Sequence, residues 1–148
     1  MSGRVLALDV GSRRLGVAVS DPTRTVASPL VTLVRRGPVE DASAIARLAA
    51  EHAATTLVVG LPRSLGGAEG PAAKAVRAYV EELSAHLDGL RIELADERLS
   101  TVAAERALVA GGVRRADRRA VVDQLAASLF LQVWLDAARA RGKEGGAC

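Results

Sequence analysis

Three carboxylates in the sequence could converge on one site, and two of them, Asp9 and Asp123, lie in apolar surroundings where a charge needs a partner. Asp9 lies in the apolar segment RVLALDV, Glu97 in the motif DERLST, and Asp123 in the long apolar-faced segment VVDQLAASLFLQVW. A charge among apolar side chains is costly unless it is paired, and clustered carboxylates repel one another. A divalent cation removes both costs, and Mg²⁺ or Mn²⁺ held by oxygen ligands would activate water for phosphodiester cleavage.

Each of these carboxylates also has an ordinary structural explanation. Asp9 can cap the turn that begins at Gly11. Glu97 can form a surface pair with Arg98, its neighbour in the chain. Asp123 can interact favourably with the dipole of a helix whose first turn it occupies. The metal-site hypothesis is favoured because all three carboxylates fall at one edge of the sheet that the sequence predicts.

That sheet is predicted from the spacing of apolar residues. Three strands joined by tight turns come first and are expected to be antiparallel, whereas helical crossovers make the last two strands parallel. The predicted fold class is α/β, with a mixed five-stranded sheet flanked by helices on both faces. The predicted strands are residues 4–10, 15–20, 25–34, 56–60 and 90–95, and the predicted helices are 40–53, 72–87, 101–110 and 117–140.

Proline and capping residues refine this prediction. The segment RVLALDV is apolar on both faces and is expected at the centre of the sheet, while Pro29 places the third strand at an edge. Pro71 is expected to begin the second helix and Asp117 to cap the last one. A frayed tail is expected from about residue 141.

The predicted topology brings the three carboxylates together. Parallel strands end at the same edge of a sheet, so Asp9 and Glu97 are expected to meet there. Helical spacing puts Asp123 on an apolar stripe that faces the sheet. The other residues of that stripe are Ala126, Ala127, Phe130 and Trp134.

Composition limits the class of protein. The 148 residues suit a single domain spanning 1–148, and 49% are hydrophobic but only 2% aromatic, which predicts an aliphatic core. The single cysteine, Cys148, excludes an internal disulfide and a Cys-based zinc site. No apolar run suits a signal peptide or a membrane span, so we expect a cytoplasmic protein that does not contact membranes.

The basic residues indicate a polyanionic partner. The net charge is +3, and arginine outnumbers lysine by 18 to 2. Arginine makes planar bidentate contacts with phosphate, although codon bias in a GC-rich genome also raises its frequency. The clustered arginines are either a solvated surface or contacts to substrate phosphates. We expect substrate contacts from Arg13, Arg14, Arg63, Arg98, Arg114, Arg115, Arg118 and Arg119.

With these residues in view, the sequence resembles the YqgF/RuvX family. The motifs LALDVGSRRLGVAVSD, VVGLP, DERLST and VDQLAAS carry the resemblance, which covers residues 4 to about 137. Members are described as Holliday-junction-resolvase-like and as nucleases of precursor 16S ribosomal RNA. The resemblance implies an RNase H-like fold and a nuclease that uses Mg²⁺ or Mn²⁺. It implies catalytic and metal-binding roles for Asp9, Glu97 and Asp123, and a function in maturing the 5′ end of that RNA.

One departure from the resolvases leaves alternatives open. Resolvases have an essential glutamate after the fourth strand, where this chain has VVGLP and no acidic residue before Glu69. The departure weakens the case for cleaving four-way junctions more than the case for nuclease chemistry. The alternatives are a resolvase of Holliday junctions or other structured DNA, which could act as a homodimer, and a non-catalytic factor in ribosome assembly or transcription. The first motif also resembles the phosphate hairpin of actin–sugar kinase ATPases, but those enzymes need a second domain.

Overall fold

Eight elements form the part of the chain that the computed structural model describes, namely residues 3–62, 70–96 and 115–145. In the last range, side chains are described for residues 125–141. The predicted helix at 101–110 lies outside these ranges. The elements are β1 (Arg4–Val10), β2 (Arg14–Ser20), β3 (Ala27–Val34), α1 (Pro38–Glu51), β4 (Ala54–Leu61), α2 (Pro71–Ser84), β5 (Arg91–Asp96) and α3 (Arg115–Gly145).

The five strands form one mixed sheet with the order β3-β2-β1-β4-β5. β1 pairs antiparallel with β2, and β2 pairs antiparallel with β3. β4 lies parallel to both β1 and β5, as the helical crossovers α1 and α2 require. The predicted mixed sheet is confirmed, as are the central place of β1 and the edge position of the strand that contains Pro29.

Two separate cores lie on the two faces of the sheet, which confirms helices on both faces. Leu6 and Leu8 of β1 point to the core beneath α1 and α2, whereas the intervening Ala7 points to the core beneath α3. This alternation follows from the two-residue repeat of a strand. The buried residues on the α3 face are Val5, Ala7, Ala18, Val58, Ala127, Phe130, Leu131 and Leu135.

The first helix begins earlier and ends earlier than predicted. α1 starts at Pro38 rather than residue 40, because proline has the φ of a helix and the first helical position needs no N–H donor. It ends at Glu51 because Ala53 adopts a left-handed φ of 53°. Pro71 begins α2, as predicted.

Two predictions about the last helix were wrong. Asp117 lies inside α3 and does not cap it, because the helix is already formed at Arg115. The helix also continues to Gly145, so the frayed tail expected from residue 141 is helical over its first five residues. A single glycine at position 142 costs the helix about 1 kcal/mol, which is too little to stop a long helix from propagating.

Polar contacts hold α3 against the loop between β2 and β3. The side chain of Gln132 donates to the carbonyl of Thr25 at 2.8 Å and accepts from the backbone N–H of Ala27 at 2.9 Å. Arg139 donates to the same Thr25 carbonyl at 3.2 Å. Asp21 orders this loop by accepting backbone N–H bonds, and its hydrogen bonds to the loop hold its pKa well below the ordinary value. The position of α3 along the sheet is therefore fixed.

Within the described ranges, no helix has both the length and the apolar character that crossing a membrane requires.

Candidate functional site

Asp9 lies near the carboxyl end of β1, on the face of the sheet that α3 covers. Strand alternation gives it the same direction as Val5 and Ala7, whose side chains are buried beneath α3. Asp9 itself is only half-buried. A carboxylate is therefore placed where the core beneath α3 opens toward the edge at which β1, β4 and β5 end, called here the carboxyl edge.

The strands on both sides of Asp9 carry glycine at its level. In the antiparallel pair, Asp9 is opposite Gly16. In the parallel pair, Leu8 is level with Val59, so the next residue along β4, Gly60, is beside Asp9. Neither neighbour has a side chain to fill the space above the sheet. The neighbouring strands therefore place no side chain of their own beside the carboxylate on this face.

β5 ends at the same edge. Its last residue, Asp96, pairs with Leu61 of β4, and Ala95 packs against the core on the α3 face. Glu97 directly follows Asp96 and lies two residues after Ala95, but Glu97 itself falls outside the described residues. The structure therefore brings the chain to the carboxyl edge immediately before Glu97.

Asp123 lies in α3, in a stretch where the structure describes the backbone but not the side chains. It precedes Ala127 by one helical turn, and Ala127 is fully buried against the sheet. The predicted apolar stripe is confirmed where side chains are described, since Ala126 and Phe130 are buried and Trp134 packs against the same core.

The predicted basic residues are only partly described. Arg13 is exposed and Arg14 is half-buried, and both lie at the β1–β2 turn beyond Asp9. Arg115, Arg118 and Arg119 lie in the first turns of α3, where side chains are not described, and Arg63, Arg98 and Arg114 fall outside the described residues.

Among the described side chains, no group of three His, Cys, Asp or Glu residues is arranged to hold a metal ion. Of the three predicted ligands, Asp9 is the one whose side chain the structure describes. Its chemistry fits the ion, because carboxylate oxygens are the ligands that Mg²⁺ and Mn²⁺ prefer.

Arg35 is a further residue near this edge, and no motif in the sequence points to it. Its guanidinium donates from Nη1 to the carbonyl of Gly11 at 2.8 Å, and its backbone N–H donates to the carbonyl of Arg13 at 2.9 Å. The guanidinium also lies 4.4 Å from the ring centroid of Tyr79. In the sequence it is one of two adjacent arginines in a loop, with no local signal of these long-range contacts.

The β1–β2 turn depends on a glycine at position 11, which gives a testable prediction. A Cβ atom there would lie 2.8 Å from the carbonyl oxygen of Arg14, the atom to which the Gly11 N–H donates. We expect Gly11→Ala to lower the free energy of unfolding by about 1–3 kcal/mol, because backbone must shift to make room.

The comparison substitution is Gly70→Ala, since a Cβ at Gly70 would meet nothing within 4 Å and the change costs only the weaker N-cap that alanine makes for α2. Urea unfolding of both variants measures the difference. An equal loss of unfolding free energy in the two variants would show that the close approach at Gly11 is unimportant.

Comparison with solved structures defines the class of fold. The chain is similar to Thermus thermophilus RuvC in complex with a Holliday junction substrate, with a TM-score of 0.54, 17% identity, and coverage of 93% of this chain and 96% of that one. It is also similar to the large terminase nuclease of the thermophilic phage G20c, with a TM-score of 0.51, 13% identity, and coverage of 84% and 80%. The fold is the RNase H-like fold shared by resolvases and nucleases.

Sequence comparison then gives the family. A family model described as RuvX, Holliday junction resolvase, matches residues 3–137. A relative from Roseiflexus is 49% identical and covers 93% of this chain and 96% of its own; one from Myxococcus xanthus is 47% identical, with coverage of 92% and 89%. Both relatives are named "Putative pre-16S rRNA nuclease". The chain belongs to the RuvX family, which confirms the resemblance seen in its motifs.

Proposed function

We propose that this protein is a metal-dependent nuclease that hydrolyses phosphodiester bonds at the 5′ end of precursor 16S ribosomal RNA. The observation that carries the proposal is the place of Asp9, a half-buried carboxylate flanked by Gly16 and Gly60 at the carboxyl edge. The membership in a family of resolvases and nucleases supports phosphodiester chemistry at this edge.

The placement of α3 supports the proposed contribution of Asp123. Gln132 binds Ala27, which pairs with Ser20, and Ser20 accepts a hydrogen bond from the N–H of Val5. Counting back nine residues from Gln132 to Asp123 covers about 14 Å of helix. This length is close to the span of about 13 Å from Val5 to Asp9 along β1. A helix that runs from this anchor toward the carboxyl edge thus has the length to bring Asp123 level with Asp9.

Asp9, Glu97 and Asp123 would hold Mg²⁺ or Mn²⁺ together. When bound, such an ion supplies an activated water and stabilises the leaving oxygen of a phosphodiester. The task of the three side chains is to provide negative oxygen ligands in fixed positions. Asp9 is part of the paired strand β1, and Glu97 directly follows the paired strand β5. Two of the three proposed ligands are therefore positioned by rigid strands.

The arginines near the carboxyl edge are proposed to hold the phosphate backbone of the substrate. Arg13 and Arg14 lie at the turn just beyond Asp9, where a strand of nucleic acid in the site would pass. Contacts of this kind position the nucleic acid without reading its sequence. We therefore infer that substrate choice depends on RNA shape near the cleaved bond.

Ribosomal RNA is favoured over a four-way DNA junction as the substrate. Curated relatives with 43–49% identity are named for pre-16S rRNA, although the family model is described by Holliday junction resolution. In the structure, β4 ends at Leu61 and presents Gly60 beside Asp9, so the described end of β4 offers no carboxylate in the place where resolvases have one. This difference supports a site built with Glu97 after β5.

The test is a cleavage assay on end-labelled precursor 16S rRNA, a four-way DNA junction and single strands of matched length, each with Mn²⁺ and with a chelator. We expect Mn²⁺-dependent cleavage at the 5′ side of the precursor and slower cleavage of the junction. Preferential cleavage of the junction would replace RNA with DNA as the substrate. The absence of metal-dependent cleavage on every substrate would contradict nuclease activity and favour a non-catalytic binding factor.

A further inference from the structure

We propose that Arg35 is a positioning residue of the candidate site, because it ties the turn that follows Asp9 to a buried pair formed by Asp41 and Tyr79. The inference rests on the proposed nuclease function for its catalytic consequence. The role in positioning the turn is a separate structural claim, and it can be tested without any substrate.

Arg35 holds the β1–β2 turn at two points. Its Nη1 atom donates to the Gly11 carbonyl at 2.8 Å, and its backbone N–H donates to the Arg13 carbonyl at 2.9 Å. The turn also closes on itself, since the Gly11 N–H donates to the Arg14 carbonyl at 2.8 Å. Gly11 lies two residues after Asp9, so a shift of this turn moves the end of the strand that carries the carboxylate.

On its other side, Arg35 is held by the face of an aromatic ring. Its guanidinium carbon lies 4.4 Å from the ring centroid of Tyr79, a cation–π distance. Tyr79 is buried in α2. The planar guanidinium can therefore stack on the ring and donate in its own plane to a carbonyl, a combination that a lysine ammonium does not offer.

The ring of Tyr79 is fixed by a buried carboxylate. Its hydroxyl donates to Oδ2 of Asp41 at 2.7 Å, and Asp41 is 2% exposed. Asp41 also accepts the backbone N–H groups of Arg36 at 2.9 Å and Gly37 at 3.2 Å, which lie at the start of α1. Burial raises the pKa of Tyr79 far above its ordinary value, and the hydrogen bond to Asp41 raises it further. The hydroxyl therefore keeps its proton and remains a donor.

These contacts link a surface turn to the core beneath α1 and α2. The described residues of the turn are exposed or half-buried, and Arg35 supplies two hydrogen bonds that reach Gly11 and Arg13 from beyond the end of β3. Catalytic geometry must be held to within about 0.5 Å. The role of Arg35 is to give the turn that rigidity, and with it the end of β1.

The experiment compares Arg35→Lys and Arg35→Gln with a matched control, Arg36→Lys, at the adjacent exposed arginine. Leu87→Ala is a second control, which destabilises the same core from a buried position beyond the end of α2. The readouts are amide hydrogen exchange at Gly11, thermal unfolding, kcat and KM for RNA, and the Mn²⁺ concentration for half-maximal cleavage.

Both Arg35 variants lose the hydrogen bond from the side chain to the Gly11 carbonyl. Loss of one hydrogen bond should let the turn open more often and speed hydrogen exchange at the Gly11 amide by up to about tenfold. Both variants should also lower kcat and raise the Mn²⁺ midpoint with little change in KM. Arg36→Lys should match the wild type, and Leu87→Ala should lower the unfolding temperature without moving the Mn²⁺ midpoint.

Wild-type exchange at Gly11 together with a wild-type Mn²⁺ midpoint in both Arg35 variants would overturn the inference. A rise in KM alone would also overturn it, because that result would make Arg35 a substrate contact. If the wild-type protein cleaves nothing, the proposed function fails, and exchange at Gly11 still decides whether Arg35 positions the turn.

Discussion

Asp9→Asn is expected to lower metal-dependent cleavage of RNA by about a thousandfold or more, since losing an ion-binding carboxylate removes several kcal/mol of transition-state stabilisation. Asparagine has the shape of aspartate but no charge, so it cannot balance a divalent ion in the same way. The sheet should be unaffected, because Asp9 is only half-buried and glycine is its neighbour on both sides. Single-turnover cleavage with Mn²⁺ measures the effect.

The matched control is Asp88→Asn, an exposed aspartate in the turn before β5, at the end of that strand remote from the carboxyl edge. It should cleave at the wild-type rate. Binding of RNA by the Asp9 variant at low salt should persist, because the arginines that contact phosphate are unchanged. Cleavage by Asp9→Asn at the wild-type rate would remove Asp9 from the catalytic site.

Phe130→Ala is expected to have the largest effect on stability, lowering the free energy of unfolding by about 3–5 kcal/mol. Phe130 is 1% exposed and fills the core between α3 and the sheet. Its loss leaves a cavity two helical turns after Asp123, in the contact that holds this helix in place. Urea unfolding followed by circular dichroism measures the change.

Val133→Ala is the control on the same helix, since Val133 is 62% exposed, and its change should stay within about 0.5 kcal/mol. Equal, small losses in the two variants would contradict the packing of α3 on the sheet. They would also remove the support that this packing gives to the position of Asp123.

Much of the fold was predictable because its signals are local. The apolar run of β1 indicates a central strand, and the proline in β3 indicates an edge strand. Both signals lie within a few residues, and both predictions are confirmed. The ends of the helices were less predictable, since they depend on small local preferences. Pro38 begins α1 early, and the glycine at position 142 does not stop α3.

In the candidate site too, residues with a local sequence signal were predictable and residues that depend on long-range contacts were not. Asp9 could be recognised because a carboxylate in an apolar strand is costly without a partner. Arg35 could not, because its contacts cross 24 residues to Gly11 and depend on the ring of Tyr79 in the distant helix α2. The glycines beside Asp9 become informative when strand register is known, since register determines which residues are level with it.

The proposed active site depends on carboxylates from β1, from the segment after β5 and from α3 holding divalent ions together at the carboxyl edge. The most direct measurement is anomalous scattering from crystals of the protein grown with Mn²⁺. We expect a manganese peak within about 2.3 Å of carboxylate oxygens of Asp9, Glu97 and Asp123. Manganese bound elsewhere, or an Asp9 carboxylate without manganese while the other two carboxylates lie far from it, would contradict a shared metal site.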